Sequence, residues 1–169
     1  MTGFPPGIIH GRLHIAGPVA HQAELDLTTA YNNAASRKTR PVTVSGNIGG
    51  RTLAPGLYMS TSSLAISSGD LTLDARGNVN GVFVFQMGSS FTMTAGRRII
   101  MTNGARARNV FWAVGSSATL GTKCSFHGNL LVRQSISLGT GSVVRGRLLA
   151  EAGAVTMQGN TIVKPEAAP

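Results

Sequence analysis

The sequence predicts an all-β fold with one flanking helix: a triangular, right-handed β-solenoid with a long α-helix packed along one face. Three observations support this prediction. Short apolar runs end at glycines, matched positions recur at a fixed period, and one stretch alone has the spacing of an amphipathic helix. Glycine accounts for 22 of 169 residues, which suits a chain that turns sharply at the end of every short strand.

A fixed period runs through residues 103–163. Matched apolar positions recur every 18 or 19 residues: Leu120, Leu138 and Met157 in one series, and Phe126, Val144 and Ile162 in another. Each period holds three short strands with glycine corners, which together make one coil of a solenoid. Because no such strand can bury its inner face alone, the coils must stack, with paired strands about 4.8 Å apart.

Residues 18–37 form the predicted helix. The preceding residues are irregular, with a turn at Pro5-Pro6-Gly7, and Pro18 is tolerated at the first position of a helix. An apolar stripe follows at steps of three and four: Ala20, Ala23, Leu27, Ala30, Tyr31 and Ala34. Pro41 blocks continuation. We expect the small alanines to let this helix lie close along the first strands of the coils.

The solenoid coils are predicted over residues 42–163, within a single domain of residues 1–169. Side chains alternate along a strand, so the large apolar residues mark the interior. In the middle strand of each coil the predicted inward pairs are Phe91/Met93, Ala118/Leu120, Ile136/Leu138 and Val155/Met157. Phe83, Phe85, Phe111 and Trp112 are also predicted to be interior.

The outward residues of the middle strands form the candidate binding site. They are Ser63, Ser67, Thr92, Thr94, Ser117, Thr119, Ser135, Ser137, Thr156 and Gln158. None is charged, although the chain carries fifteen Lys and Arg residues. Ranks of small hydroxyl and methyl groups at strand spacing make a flat array that can order water. The alternative is that Ser and Thr are simply favourable on a solvent-facing strand.

Several long motifs carry a family resemblance. NGARARNVFWAVGSSATLGT at 103–122, GRLLAEAGAVTMQGNTI at 146–162, and the earlier LAPGLY, LTLDARG and GVFVFQ resemble the ice-binding (antifreeze) β-solenoid family of polar microbes, over about Gly3 to Pro165. The resemblance implies a three-faced solenoid beside a helix, usually secreted, that adsorbs to ice crystals. The ten outward residues are then the expected ice-binding face.

The beginning of the chain bears on localisation. MTGFPPG lacks the charged and then apolar layout of a signal peptide, so the sequence represents either a mature form or a chain without its N-terminal part. Members of the resembled family usually carry further solenoid-forming sequence before this stretch. We therefore expect a secreted protein whose signal peptide is not in the given sequence, acting as a monomer.

The net charge of +9 raises the question of an acidic partner, although it reflects scarce acids (six) as much as many bases. Few aromatic residues are available to stack bases, so we predict no specific nucleic-acid binding, and no membrane span is evident. Arg106 and Arg108 stand where the resembled family usually has uncharged residues, often Cys at the second. With Arg97 and Arg98, they support an alternative: a structural or adhesive solenoid that binds acidic polymers.

Residues that would indicate catalysis are sparse. Asp70 and Asp74 are the closest acidic pair in the predicted β-region, but no two acids recur at the coil period, and Asp74 is expected to cap the turn at residues 75–77. His10, His14 and His21 lack metal-ligand spacing. Cys124 is the sole cysteine and is expected to pack at a corner. We predict no enzyme activity, no cofactor and no metal site.

Overall fold

The computed structural model describes residues 7–165, and the turn predicted at Pro5-Pro6-Gly7 lies mainly outside them. One α-helix, one 3-10 turn and sixteen strands occupy this range: α1 Pro18–Ser36, β1 Val42–Thr43, β2 Gly46–Asn47, β3 Thr52–Leu53, β4 Gly56–Ser60, β5 Leu64–Ile66, β6 Leu71–Asp74, β7 Phe83–Met87, β8 Phe91–Met93, β9 Ile99–Thr102, η1 Ala107–Asn109, β10 Val110–Val114, β11 Ala118–Leu120, β12 Ser125–Val132, β13 Ile136–Leu138, β14 Val143–Ala150, β15 Val155–Thr156 and β16 Thr161–Val163.

The strands stack into coils with three faces, and every strand pairing is parallel. The first face comprises β1, β4, β7 and β10 followed by residues 128–132 and 146–150. The middle face comprises β2, β5, β8, β11, β13 and β15. The third face comprises β3, β6 and β9 followed by residues 125–127, residues 143–145 and β16, with an Arg98–Ser125 bridge between them. The predicted β-solenoid with one helix is confirmed.

Aromatic side chains stack along the interior of the first face. Tyr58, Phe85 and Trp112 occupy directly paired positions on β4, β7 and β10. The Phe85 and Trp112 rings lie 4.0 Å apart and 8° from parallel, and Tyr58 stacks on Phe85 at 5.1 Å. Parallel strands in register place equivalent positions of successive coils next to one another. Similar residues therefore stack and form a continuous core without water.

Two residues predicted to be interior are more exposed than expected. Phe111 is half-buried and packs toward the helix, because it alternates with the buried Trp112 on β10. Met157 is 40 % exposed, although its counterparts Leu120 and Leu138 are buried. It follows β15, which ends its sheet among the described strands, so the Met157 side chain has a neighbouring coil on one side only.

The helix lies on the first face. Leu27, Tyr31 and Ala34 are buried against a row of outward side chains from successive coils: Leu57, Val84, Ala113 and Leu131. The Gln86 amide donates hydrogen bonds to the carbonyls of Ala34 (2.6 Å) and Arg37 (3.0 Å). Helix α1 ends one residue before the predicted boundary, because Arg37 adopts an extended backbone.

Of the predicted apolar stripe of the helix, only Leu27, Tyr31 and Ala34 are buried. Ala20 is half-buried, and Ala23 and Ala30 are exposed. The Thr28 hydroxyl donates to the Glu151 carboxylate (2.8 Å), immediately after the last strand segment of the first face. The helix turns before Thr28 therefore extend past that strand and have no described coil beneath them. None of the helical residues between 7 and 165 forms a segment long and apolar enough to cross a bilayer.

Asp74 holds the corner after β6, as the sequence predicts. Its Oδ1 atom accepts hydrogen bonds from the backbone N–H of Arg76 (2.8 Å) and from the Asn103 side chain one coil further on (2.9 Å). These hydrogen bonds, the one from Arg76 first, hold the pKa of Asp74 below its ordinary value. Arg76 and Asn103 both have positive φ, so the side-chain bonds support two strained turns at once.

Candidate functional site

A rank of paired residues runs across the centre of the middle face. Neighbouring strands place one outward residue each in direct register: Asn47, Ala65, Thr92, Thr119, Ser137 and Thr156, which we call the central rank. On β8, β11 and β13 the rank residue is exposed between two buried neighbours. The strict alternation of the pleat therefore holds these side chains on the outer surface.

Four hydroxyl groups of the central rank are unpaired. Thr92, Thr119, Ser137 and Thr156 are exposed, and within residues 7–165 none of their side chains makes a hydrogen bond to the protein. Their donors and acceptors are consequently available to whatever lies against the face. Parallel pairing spaces these groups by about 4.8 Å along the solenoid axis.

The serines at the strand starts have a different role. Ser63, Ser117 and Ser135 were predicted to be outward, and all three are half-buried. The Ser63 hydroxyl lies 2.9 Å from that of Ser90, Ser117 donates to Gln134 (3.3 Å), and the Ser117 oxygen accepts from the Ser135 N–H (3.4 Å). Ser90 completes this row, and the same alternation could have identified it, because it precedes Phe91 as Ser117 precedes Ala118.

The predicted residues at the strand ends are also tied to the protein. The Ser67 hydroxyl donates to the Asn47 side chain (3.1 Å), and the Thr94 hydroxyl donates to the carbonyl of Ser67 (3.2 Å). Gln158 accepts from Thr140 (3.4 Å). Asn47 belongs to the central rank, but its oxygen also accepts from the Gly49 N–H at 3.1 Å. Its amide therefore braces a corner.

The middle face carries no charged side chain on any of its strands from β2 to β15. Charges lie on the other two faces and at the corners of the coils instead. Asp70 is 3.0 Å from the Nε atom of Arg98 and 3.9 Å from the guanidinium of Arg97. The polar surface is thus divided into a neutral face of short side chains and a face with ion pairs.

The four arginines of the predicted acidic-polymer site lie in two settings. Arg97 and Arg98 are engaged by Asp70. Arg106 precedes η1 and Arg108 lies within it, and both line a groove with other residues of the third face. The sequence groups all four because they are close along the chain, and the structure places their charges at distinct sites.

Residues with catalytic or metal-binding chemistry are not clustered in the described part of the chain. Within residues 7–165, no group of three His, Cys, Asp or Glu side chains is placed to hold a metal ion. Cys124 is buried at a corner, where its thiol donates to the carbonyl of Thr94 (3.1 Å) and burial raises its pKa. Asp70 and Asp74 are each occupied by hydrogen bonds of their own.

Comparisons with known proteins give a consistent family. A family model described as ice-binding-like matches residues 1–163. An ice-binding protein of Nostoc sp. (strain HG1) is 48% identical over 162 residues, covering 95% of this chain and 60% of the relative. One from Colwellia sp. is 42% identical, covering 83% of this chain and 54% of the relative. The chain thus spans little more than half the length of these relatives.

Solved structures show the same fold at high similarity. An ice-binding protein from an Antarctic biological consortium superposes with a TM-score of 0.95 and 55% identity, covering 97% of this chain and 74% of that one. The ice-binding protein of the Antarctic ascomycete Antarctomyces psychrotrophicus gives a TM-score of 0.91 and 40% identity, with 99% and 81% covered. With its stacked coils, flanking helix and family match over residues 1–163, the chain belongs to the ice-binding-like family.

Proposed function

We propose that this chain binds ice through the middle face, with the central rank as the contact surface. The observation that supports the proposal is the row of unpaired hydroxyls on Thr92, Thr119, Ser137 and Thr156, exposed on a face without charge. Relatives named as ice-binding proteins, at 48% and 42% identity, support ice as the target.

The rigidity of the rank favours binding to a periodic solid. Threonine is β-branched, so its χ1 angle is restricted on a strand, and little rotamer entropy is lost when its surroundings become ordered. Parallel strands repeat the hydroxyl and methyl groups at a constant spacing. Water molecules between these groups can adopt fixed positions, and those positions are set by the backbone and not by mobile side-chain ends.

The hydrogen bonds at the strand starts and ends support the same purpose. Ser63 is held by Ser90, and Ser67 by Asn47, so the residues that border the rank are tied from coil to coil. These bonds keep the face flat and its strands in register. In this proposal the central rank contacts ice, and the bordering residues of the ten predicted positions position the rank.

Adsorption explains how such a face would act on freezing. Molecules held on the crystal force ice to grow as curved fronts between them, and a curved front melts at a lower temperature than a flat one. The expected result is thermal hysteresis, inhibition of recrystallisation, or both. We propose that the protein works in this way outside the cell, as a non-catalytic monomer without a cofactor.

An ice-partition experiment tests the proposal. Ice is grown slowly from a solution of the protein, and the protein concentrations in the solid and the liquid are compared for wild type, Thr119→Tyr and Thr52→Tyr. Thr52 is exposed on β3 of the third face, so its substitution adds the same bulk outside the central rank. We expect wild type and Thr52→Tyr to enter the ice and Thr119→Tyr to be largely excluded.

The results distinguish whether the chain binds ice from which face binds it. Exclusion of the wild type, at the level of a protein without ice affinity, would overturn ice binding for this chain. Uptake of Thr119→Tyr equal to wild type, with loss in Thr52→Tyr, would keep ice binding and move it to the third face. Equal uptake of all three would show that Ser and Thr serve only as favourable strand residues on the middle face.

A further inference from the structure

A groove with a volume of about 240 Å³ opens on the third face beside η1. Its polar walls come from four separate segments: Arg106 and Arg108 around η1, His127 on β12, Arg145 on β14, and Lys164 after β16. These residues lie up to 58 positions apart in sequence, and the stacking of the last coils brings them together. The groove lies on a different face from the central rank.

The charge of the groove is strongly positive. Arg106, Arg108, Arg145 and Lys164 are four cations, and no carboxylate lines the groove among the described residues. In the part of the chain from 7 to 165, no Asp or Glu lies within ion-pairing distance of Arg106, Arg145 or Lys164. Other arginines of the solenoid do have such partners, including Arg98 with Asp70 and Arg133 with Glu151.

The surroundings of the groove shift the pKa of His127. Burial, followed by the charge of Arg145, lowers the pKa of His127, and a hydrogen bond with the backbone of Ile99 opposes the shift only in part. Its Nδ1 atom is buried and has no hydrogen-bond partner among the described residues. A buried imidazole with an unsatisfied nitrogen therefore lies next to the cationic side chains of the groove.

The remaining lining is apolar. Met101, Ala105, Ala107, Val163 and Pro165 supply hydrocarbon surface between the charged side chains. No Phe, Tyr or Trp is among the lining residues, so the groove offers no large aromatic face for stacking a nucleic-acid base. A ring with C–H faces and an anionic substituent matches this combination of an apolar floor and a cationic rim.

We propose that this groove binds an acidic saccharide, with the carboxylate or sulfate of one sugar residue held by Arg106 and Arg145. Guanidinium groups hold planar or tetrahedral oxyanions through paired N–H donors, which makes arginine the suited side chain for such a group. The site would attach the protein to an acidic extracellular polymer through the third face and leave the middle face open. It neither requires nor alters the proposed ice contact.

Titration with defined probes tests this site. The probes are a galacturonic acid disaccharide, a sulfated disaccharide, a neutral disaccharide and inorganic sulfate, followed by calorimetry and by NMR at low and high salt. We expect the two acidic disaccharides to bind, the neutral one not to bind, and the affinity to fall with salt. Binding should also raise the pKa of His127, because a nearby anion stabilises the imidazolium.

Matched variants separate a defined site from general attraction. Arg145→Gln and Arg106→Gln should each weaken binding about tenfold, since each removes a charge-assisted contact. Arg51→Gln removes one charge from an exposed position in the first coil, far along the solenoid, and should leave binding within about twofold. The melting temperature of each variant serves as the check that the fold is retained.

Four results would overturn the proposal. Equal weakening by Arg51→Gln and Arg145→Gln would show that attraction depends on net charge alone. Tight binding of the neutral disaccharide would show that the carboxylate or sulfate group is not needed for binding. If inorganic sulfate binds as tightly as the sulfated disaccharide, the groove holds a free oxyanion and does not recognise a sugar. An unchanged His127 pKa in the presence of a bound acidic saccharide would place the ligand elsewhere.

Discussion

Thr119 is paired directly with Thr92 on the neighbouring parallel strand, and both side chains are exposed between buried residues. Ser137 continues the row on the next strand. The distance between these hydroxyl-bearing positions is therefore set by the backbone hydrogen bonds between the strands, which keep it nearly constant along the row. A binding surface built in this way depends on the neutrality and size of each side chain in the row.

A charge introduced into the row should abolish ice uptake. Thr119→Lys places a strongly hydrated ammonium on a flexible stem at the centre of the face, and both its hydration and its rotamer entropy oppose ordering. We expect at least a tenfold lower concentration in the ice phase, whereas Thr119→Ser, which keeps the hydroxyl, should lose less than threefold. Ice partition at equal protein concentration measures both, with Thr52→Lys as the charge-matched control. Uptake of Thr119→Lys at the wild-type level would contradict the assignment of the central rank.

Removing the Tyr31 ring should loosen the helix from the solenoid. Tyr31 is buried against the first face and lies 4.5 Å from the Arg133 guanidinium, so Tyr31→Ala loses both apolar burial and a cation–π contact. We expect a loss of about 3 kcal/mol in the free energy of unfolding, measured by denaturant titration. Thr29→Ala changes an exposed residue of the same helix, whose hydroxyl donates only to the carbonyl of Leu25, and should cost less than about 0.5 kcal/mol. Similar losses in the two variants would mean that Tyr31 contributes little to docking.

Gly146 should not tolerate a side chain. It pairs with Gly128 where β12 and β14 pass from the third face to the first, and a Cβ at Gly146 would overlap the Gly128 carbonyl oxygen. Because that atom belongs to the backbone, relief requires the coils to separate. We expect Gly146→Ala to lose about 3 kcal/mol of stability or to fail to fold.

Gly56→Ala is the matched control for this substitution. A Cβ at Gly56 meets its nearest atoms at 3.9 Å, which is ordinary contact, so its unfolding free energy should stay within about 0.5 kcal/mol of wild type. Thermal and denaturant melts compare the two variants. A Gly146→Ala protein as stable as Gly56→Ala would rule out the close approach of the two coils at this corner.

The hydrogen bonds to Asp74 predict that the stability of the fold decreases in acid. Its pKa in the folded chain is below the ordinary value of 3.8, because the folded state donates hydrogen bonds to the ionised carboxylate. This contribution to stability is therefore present above pH 3.8 and is lost as the pH falls through the lower folded pKa. We expect Asp74→Asn to have a lower melting temperature than wild type at neutral pH, and we expect this difference in melting temperature to shrink as the pH falls below 3.8.

Asp26→Asn provides the control for the acid measurement. Asp26 lies on the exposed side of the helix and accepts one hydrogen bond from Gln22 within the same turn. This variant should follow the wild-type melting curve from pH 7 to pH 2. If Asp74→Asn and wild type lose stability in parallel over the whole range, the carboxylate does not support the corner as its hydrogen bonds indicate.

Much of the fold could be predicted because its determinants are local and repeated. The 18-residue and 19-residue spacings, the glycine corners and the alternation along each strand placed Thr92, Thr119 and Ser137 on one face. The errors have a common origin. Phe111, Met157 and Ala23 were misjudged because their exposure depends on which element covers them, and covering is a property of neighbouring coils and the helix.

The sequence by itself determined the solenoid, the flanking helix and the row of uncharged outward residues, since side-chain alternation and turn chemistry act over a few residues. Only the tertiary structure decided which hydroxyls stay unpaired and which cations find partners. Arg98 meets Asp70 across 28 positions, and Ser63 meets Ser90 across 27, because stacking joins residues one coil apart. The groove around Arg145 likewise exists only where η1, two coils and residue 164 converge.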